Sequence, residues 1–484
     1  MRPARKALEF LYTTAAILIS GIAYAYSTGF YTCWPLAWLA PLPILVYSFY
    51  HKPLPSVVVA FLAFFLGGIS GIGFYAHTLL PTVKPLLFSL ILSSALFSLL
   101  ILWVRVNVIR FRHWLTILVF PCSFVLYEYL GSISSTAGNI DSLAYSQITN
   151  LAVSQIAALT GSWGISFLLC LLPSTLAVAW YLKTSGKVVW PAFLFTLGLL
   201  LLVYLYGEFV LHKPRQVPSV KLGMIAVPAS LKDLKTLDKD HALAITGQYV
   251  EQINSLASQG AQIIVLPEKI LPLDASFEGQ ILQIFANVAK SQNLMLVLGL
   301  KQFSGQHKIN KAVFIDRGSI LPAYVKQHLL PGPESNFLIG QSLLIHRTTF
   351  GTLGVAICKD MDFIRPALNY SQQGVGLMLV PALDFVLDGW LHAKPAIMRG
   401  IEGGYTVARA GQWGLLSVSD AQGRILAMTK TSGQRVVSLV ATVPIGSGHT
   451  WYSKLGNWFV LVCGLIFLVN IIFLNLKRKS LVKV

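Results

Sequence analysis

Charge is what this sequence has least of. Only 12% of its 484 residues are Asp, Glu, Lys or Arg, against roughly 25% in an ordinary soluble domain. With 55% hydrophobic residues and a mean hydropathy of +0.66, that scarcity argues against a wholly soluble chain and for membrane spans. Cysteine is also sparse. Of the five, Cys122, Cys170 and Cys463 lie inside apolar runs and Cys33 at the edge of one. This argues against a disulfide framework, and without a CxxC pair or a Cys/His cluster there is no zinc signature. Dense basic tracts are missing too. The formal charge of +18 is dispersed, which speaks against nucleic acid as a partner and for anionic lipid headgroups beside the spans. Neither an internal repeat nor a low-complexity segment is present.

Long apolar runs are abundant. Stretches of spanning length fall at 8–27, 34–50, 55–78, 85–104, 113–132, 164–182, 190–211 and 456–475, giving a polytopic α-helical membrane domain of about eight spans. Basic residues mark alternate loops: Arg2, Arg5 and Lys6; Lys52; Arg105, Arg110 and Arg112; Lys183 and Lys187; Lys477, Arg478, Lys479 and Lys483. The opposite loops hold Lys84 alone. By the positive-inside rule both termini are cytoplasmic and the long polar segment lies outside. The first run ends in Ala23-Tyr24-Ala25 like a cleavable signal, but its length and the spans that follow favour a retained helix. Glu9, Glu128 and Glu208 fall near predicted helix ends, so the spans offer little acidic machinery for a pore or transporter.

Three parts follow: residues 1–212, an N-terminal membrane domain of seven spans; 213–452, a polar domain; and 453–484, a last span with a basic tail. In the polar domain Lys and Arg outnumber Asp and Glu by 22 to 15, a balance suited to a membrane surface. Its short β-branched runs at 221–227, 261–267, 294–300, 311–316, 351–357, 376–381 and 414–420 alternate with helical patterns such as 239–259, which indicates an α/β domain.

Three places in this domain could carry chemistry. Glu268 follows an apolar strand in IIVLPEK, where low dielectric is expected to raise its pKa toward that of a general base. The plain alternative is an ordinary strand-end acid. Lys326, in YVKQHLLPGPE, could stabilise an oxyanion or be a solvated surface lysine, while the adjacent proline–glycine turn would fix Glu334. Cys358 ends the run GVAI just before Lys359 and Asp360. At a strand-to-helix turn the helix dipole would favour the thiolate, and the Lys359 N–H could face an oxyanion. An inert core thiol is the competing reading. Together, a base, a cation and a nucleophile in the order Glu, Lys, Cys suit acyl transfer through cysteine.

These motifs resemble the nitrilase superfamily of carbon-nitrogen hydrolases, whose members carry a Glu-Lys-Cys triad on an αββα sandwich. Within it the chain is similar over nearly its whole length to the apolipoprotein N-acyltransferase family. The segment YSQITNLAVSQIAALTGSWGISF (145–167) is similar to a characteristic stretch of that family, and LPE, YVKQHLLPGPE and the strand ending in IC follow its order. The resemblance implies Glu268 as base, Lys326 as oxyanion stabiliser, Cys358 as nucleophile and Glu334 as auxiliary acid, with no cofactor. It further implies a monomer in the bacterial inner membrane with its catalytic domain in the periplasm. A membrane phospholipid would be the acyl donor and a lipoprotein N-terminus the acceptor. Three departures stand out. Lys359 and Asp360 replace an aromatic residue and Glu. PALDFVLDGW matches the family's next motif only through Asp384 and Trp390. An asparagine pair is missing near Ala410-Gly411. Alternatives are a membrane-tethered amidase, a paralogue acylating another amine, and an inactive domain serving as a scaffold.

Overall fold

A computed structural model describes residues 2–78, 84–214, 217–230 and 232–482; Lys483 lies outside them. The chain divides into two compact units. One comprises Met1–Ser135, Asp141–His212 and Leu455–Val484, and the other Thr136–Ile140 with Lys213–Lys454.

In the first unit the apolar runs form helices, as they must where no water can satisfy a bare backbone. Among the described residues six helices are long and apolar enough to cross a membrane: Lys6–Thr28, Lys84–Phe111, Trp114–Ser134, Ser162–Thr184, Trp190–His212 and Trp458–Leu476. The second expected span is not continuous. Residues 34–50 break into short helices Trp34–Ala37 and Leu42–Tyr50, because Pro35, Pro41 and Pro43 lack the N–H that would carry the ladder through. The third run is helical over Pro53–Thr78. Segment 145–167 is also broken, with helical turns at Leu143–Gln147, Leu151–Ser154 and Ala157–Thr160 before the long helix from Ser162. The buried Gln147 staples it: its carbonyl Oε1 accepts from Trp38 Nε1 at 3.1 Å, and its Nε2 donates to the Trp34 carbonyl at 3.0 Å.

The second unit is built on two sheets. The first holds β1 (Ser219–Ala226), β2 (Ile263–Val265), β3 (Pro272–Asp274), β4 (Met295–Ser304), β5 (His307–Asp316), β6 (Ser319–Ile320) and β7 (Tyr324–Val325). The second holds β8 (Leu344–Thr348), β9 (Gly351–Val355), β10 (Leu377–Leu383), β11 (Thr406–Gln412), β12 (Leu415–Ser419) and β13 (Ile425–Lys430). The last strand, β14 (Val437–Pro444), returns to the first sheet and pairs antiparallel with β1, Ser219 facing Pro444. The strand orders are β14-β1-β2-β4-β5-β6, with β3 on β4 and β7 on β5, and β13-β12-β11-β10-β9-β8.

Alternation along the strands makes four layers. Leu222, Met224, Val265 and Val297 of one sheet pack against Val355, Leu379, Ala408 and Val418 of the other. The opposite faces, Ile225, Ile264 and Leu296, pack on helices Lys239–Ser258 and Ala275–Ser291 through Tyr249, Ile253 and Phe285. Met378, Val380 and Val407 meet Tyr370 and Ala396 from helices Ile364–Gln372 and Gly389–Gly403. The second unit is therefore an αββα sandwich.

Candidate active site

Glu268 lies just beyond the end of β2, its backbone N–H donating to the Ala382 carbonyl at 3.2 Å. Gly299 makes room for it. A Cβ there would stand 2.3 Å from the Pro267 oxygen and 2.5 Å from the Glu268 Cα, so β4 approaches this closely only with glycine. Lys326 follows the two-residue β7, anchored by its N–H to the Asn310 carbonyl at 2.9 Å. It is 2% exposed, so it is not a solvated surface lysine.

The side chains converge. Lys326 Nζ donates to Glu268 Oε1 at 2.9 Å and to Glu334 Oε2 at 3.0 Å. Lys269 Nζ donates to Glu334 Oε1 at 2.6 Å and lies 3.6 Å from Glu268 Oε1. Asn310 Nδ2 spans both carboxylates, at 2.6 Å to Glu268 and 2.8 Å to Glu334. Glu334 is held by its own turn: its Oε2 accepts from the Leu330 N–H at 2.7 Å and its N–H donates to the Leu330 carbonyl. Two buried carboxylates and two ammonium groups thus balance in charge.

The balance fixes the protonation states. Burial alone would raise the Glu268 pKa, but Lys326 and Lys269 together hold it below the ordinary glutamate value. This corrects the expectation of a raised value: the strand end is of low dielectric, but it is also cationic. Glu334 is likewise held far down by Lys326 and Lys269 against its burial. Lys326 stays charged, since Glu268 and Glu334 more than offset its desolvation.

Cys358 sits where β9 gives way to a 3₁₀ turn, Cys358–Asp362, with a φ of 42°, unusual for a residue with a side chain. Its Sγ lies 3.8 Å from the Leu383 carbonyl and 3.9 Å from Arg409 Nη2. Burial and the negative charge of Glu268 push the thiol well above its usual pKa, only partly countered by Lys326 and Arg409. The expected dipole effect is therefore not what prevails. The following helix is a single short turn, and desolvation wins.

Asp360 is fully buried and acts as a clamp. Its Oδ2 accepts from the Tyr324 hydroxyl at 2.7 Å and the Ile357 N–H at 3.1 Å. Its Oδ1 accepts from the N–H groups of Gln327 at 3.2 Å and His328 at 2.8 Å. The turn after Cys358 is thereby tied to the segment that follows Lys326. Lys359 is buried with its Nζ 5.5 Å from the Phe363 ring centre. Asp384 pairs with Arg409 through both oxygens, and that pair stands behind the thiol. Trp390 lies in the first turn of helix Gly389–Gly403.

Sequence reading missed Lys269, Asn310 and Arg409. The signal for Arg409 was legible: a single arginine in the small-residue strand TVARAG must have a buried partner. Asn310 and Lys269 carried no such mark. Among the described residues no cluster of three or more His, Cys, Asp or Glu side chains could hold a metal ion.

Comparison with known proteins places these features in context. Residues 20–175 match the family model for the apolipoprotein N-acyltransferase N-terminal domain, and residues 217–448 match carbon-nitrogen hydrolase. The chain is 24% identical over 495 residues to apolipoprotein N-acyltransferase of Geobacter metallireducens, covering 92% of each protein. It is 25% identical to that of Shewanella oneidensis, covering 74% of each. Human omega-amidase NIT2 is 30% identical over 217 residues, 38% of this chain and 79% of that protein. An amidase structure from Nesterenkonia sp. overlaps 48% of this chain and 92% of its own, with a TM-score of 0.42 and 19% identity.

Proposed function

The chain belongs to the carbon-nitrogen hydrolase superfamily and, within it, to the apolipoprotein N-acyltransferases, and on that premise we propose that it moves an acyl chain from a membrane phospholipid, through a thioester on Cys358, to the N-terminal amine of a diacylglyceryl-cysteine lipoprotein. The observation that supports this best is the buried charge cluster of Glu268, Lys326 and Glu334, whose first two members act on the Cys358 thiol, in a chain whose described residues also include six helices long and apolar enough to span a membrane. A mere anchor needs one.

At rest the site holds a thiol and a carboxylate. Because the thiol is pushed up and Glu268 held down, proton transfer between them is uphill and accompanies attack on the ester carbonyl. As the S–C bond forms, the Sγ proton passes to Glu268, and the Lys326 ammonium and the Lys359 N–H stabilise the oxyanion. Collapse breaks the C–O ester bond; the Glu268 proton goes to the departing lysophospholipid oxygen. The incoming amine then gives its proton to Glu268 as it attacks the thioester, and that proton returns to sulfur when the S–C bond breaks. An amide and the free thiol result. An amidase would form the same thioester from an amide instead, the Glu268 proton going to the departing ammonia or amine as the C–N bond breaks. Water would then take the acyl group as an acid; the likeness to omega-amidase NIT2 favours that second reading. The dispersed basic loops support a bacterial inner-membrane placement, with both termini cytoplasmic and the catalytic unit periplasmic.

The test is acyl-enzyme trapping. Full-length protein in detergent is incubated with an alkyne-tagged phospholipid beside a Cys358→Ala control. A hydroxylamine-sensitive tag on the wild type alone, passed on to a diacylglyceryl-cysteine peptide, supports the transfer. Release of free fatty acid with no amide formed makes water the acceptor and overturns the amine transfer. No tag on a folded wild type sinks the phospholipid donor and shifts the reading to the amidase.

A further inference from the structure

The β4–β5 hairpin carries lysines on both faces, and the two faces differ in charge balance. On one face Lys311 is neutralised by Glu278, with Nζ and Oε1 2.5 Å apart, and also donates a hydrogen bond to Gln302 Oε1 at 2.8 Å. On the other face the register sets Lys301 opposite Asn310 and Phe303 opposite Lys308, so these four side chains share one side of the ladder. That side is the one from which Asn310 reaches Glu268 and Glu334. Lys301 Nζ stands 4.7 Å and Lys308 Nζ 5.8 Å from the Phe303 ring centre. Among the described residues neither has a carboxylate within ion-pairing distance. Neighbouring Lys269, by contrast, spends its charge on Glu334.

The patch is also amphipathic. Leu338 donates its N–H to the Lys308 carbonyl at 2.9 Å, and Leu338 and Ile339 are exposed, 42% and 64%. Uncompensated cations beside exposed apolar side chains, one residue pair away from the Glu268–Glu334 cluster, suit a ligand that is anionic at one end and oily at the other.

We propose that Lys301 and Lys308 form a phosphodiester-recognition site that holds the headgroup of the acyl donor beside the reacting carbonyl. The site deepens the acyl-transfer reading above and rests on it. Like-charge crowding agrees with it: the Lys301 ammonium is brought down to about 8, first by burial and then by Lys308, Lys269 and Lys235, and a bound phosphate would relieve that repulsion.

Two readouts test the proposal in full-length protein in detergent. The first is equilibrium binding of a short-chain fluorescent phospholipid to the unreactive Cys358→Ala chain. Adding Lys301→Gln and Lys308→Gln weakens it roughly tenfold, while Lys301→Arg with Lys308→Arg restores it. Unchanged affinity in the glutamine pair overturns the site, whether or not any thioester forms. The second readout is Cys358 labelling. In the glutamine pair the half-saturating phospholipid concentration rises by about tenfold with the maximal rate nearly kept, and labelling by a phosphate-free p-nitrophenyl ester is unaltered. Equal loss with both donors refutes headgroup recognition. A soluble glycerophosphodiester that displaces the lipid where inorganic phosphate does not identifies the headgroup as the source of the anion. Displacement by both equally identifies a free-phosphate site and overturns the lipid assignment. A wild type that binds lipid but never labels defeats the thioester reading and leaves this site standing.

Discussion

Replacing Lys326 with methionine tests the electrostatic account of the site. The ammonium lies 2.9 Å from Glu268 and 3.0 Å from Glu334, each attraction worth roughly 5 kcal/mol at an effective dielectric of 20. Desolvation of the lysine consumes much of that, and removing one partner from a buried ion cluster typically costs about 3–5 kcal/mol. The loss depends on pH with a definite sign. In the wild type both carboxyl groups are held below their ordinary values, so the cluster's contribution is complete above about pH 4.5 and fades as pH falls below it. In Lys326→Met, Glu268 and Glu334 must share Lys269 and the Asn310 amide, and one of them takes up a proton at a raised pKa. The penalty is then largest at neutral pH and shrinks on acidification. Unfolding of the full chain in detergent, followed by tryptophan fluorescence from pH 8 to pH 5, gives the stability gap directly. A gap of a few kcal/mol that narrows toward pH 5 is expected, with Cys358 labelling lost throughout. A gap that is constant, or widens toward acid, would refute the assigned protonation states.

Two further outcomes follow from the packing. Gly299→Ala puts a methyl group 2.3 Å from the Pro267 oxygen, which forces the backbone under Glu268 to move; a loss of about 2–3 kcal/mol and a lower labelling rate are expected, the rate measured at saturating donor. His392, between Asp362 at 3.2 Å and Asp388 at 3.5 Å, is raised to about 10 by those carboxylates against its burial. Its stabilisation is complete below pH 6.5 and lost as pH climbs through about 10. Denaturation of His392→Gln beside the wild type should therefore show a gap on the order of 4 kcal/mol near pH 6 that closes by pH 10.

The spans and the sandwich were legible because hydrophobic periodicity reports directly on what each face buries. Runs such as 85–104 can only be helices in lipid, and the alternation in KLGMIAV already separates Leu222 and Met224 from Ile225. Where the reading broke down, the physics was non-local. Proline spacing at 35, 41 and 43 was visible, but the cut it makes in the second span was not drawn from it. The short β7, which places Lys326, is two residues long and leaves no periodic trace. β11 was passed over because TVARAGQ is mostly small and polar. The protonation states of Glu268 and Cys358 were misjudged because their environment comes from far along the chain: Lys326 lies 58 positions from Glu268, and Arg409 lies 51 positions from Cys358. Burial can be guessed from neighbours in sequence, but the charges that correct it cannot.

The pairing of β1 with β14 decides where the chain enters and leaves the sandwich. Facing Cα atoms in an antiparallel pair stand only about 5 Å apart, so the polypeptide leaves the sandwich almost where it entered. A catalytic cassette with adjacent ends can be spliced between two consecutive helices of a host protein without asking either helix to move. Apart from residues 136–140, the unit that holds the sandwich is a single uninterrupted stretch, Lys213–Lys454, so its first and last strands lie side by side in space though at opposite ends of that stretch in sequence.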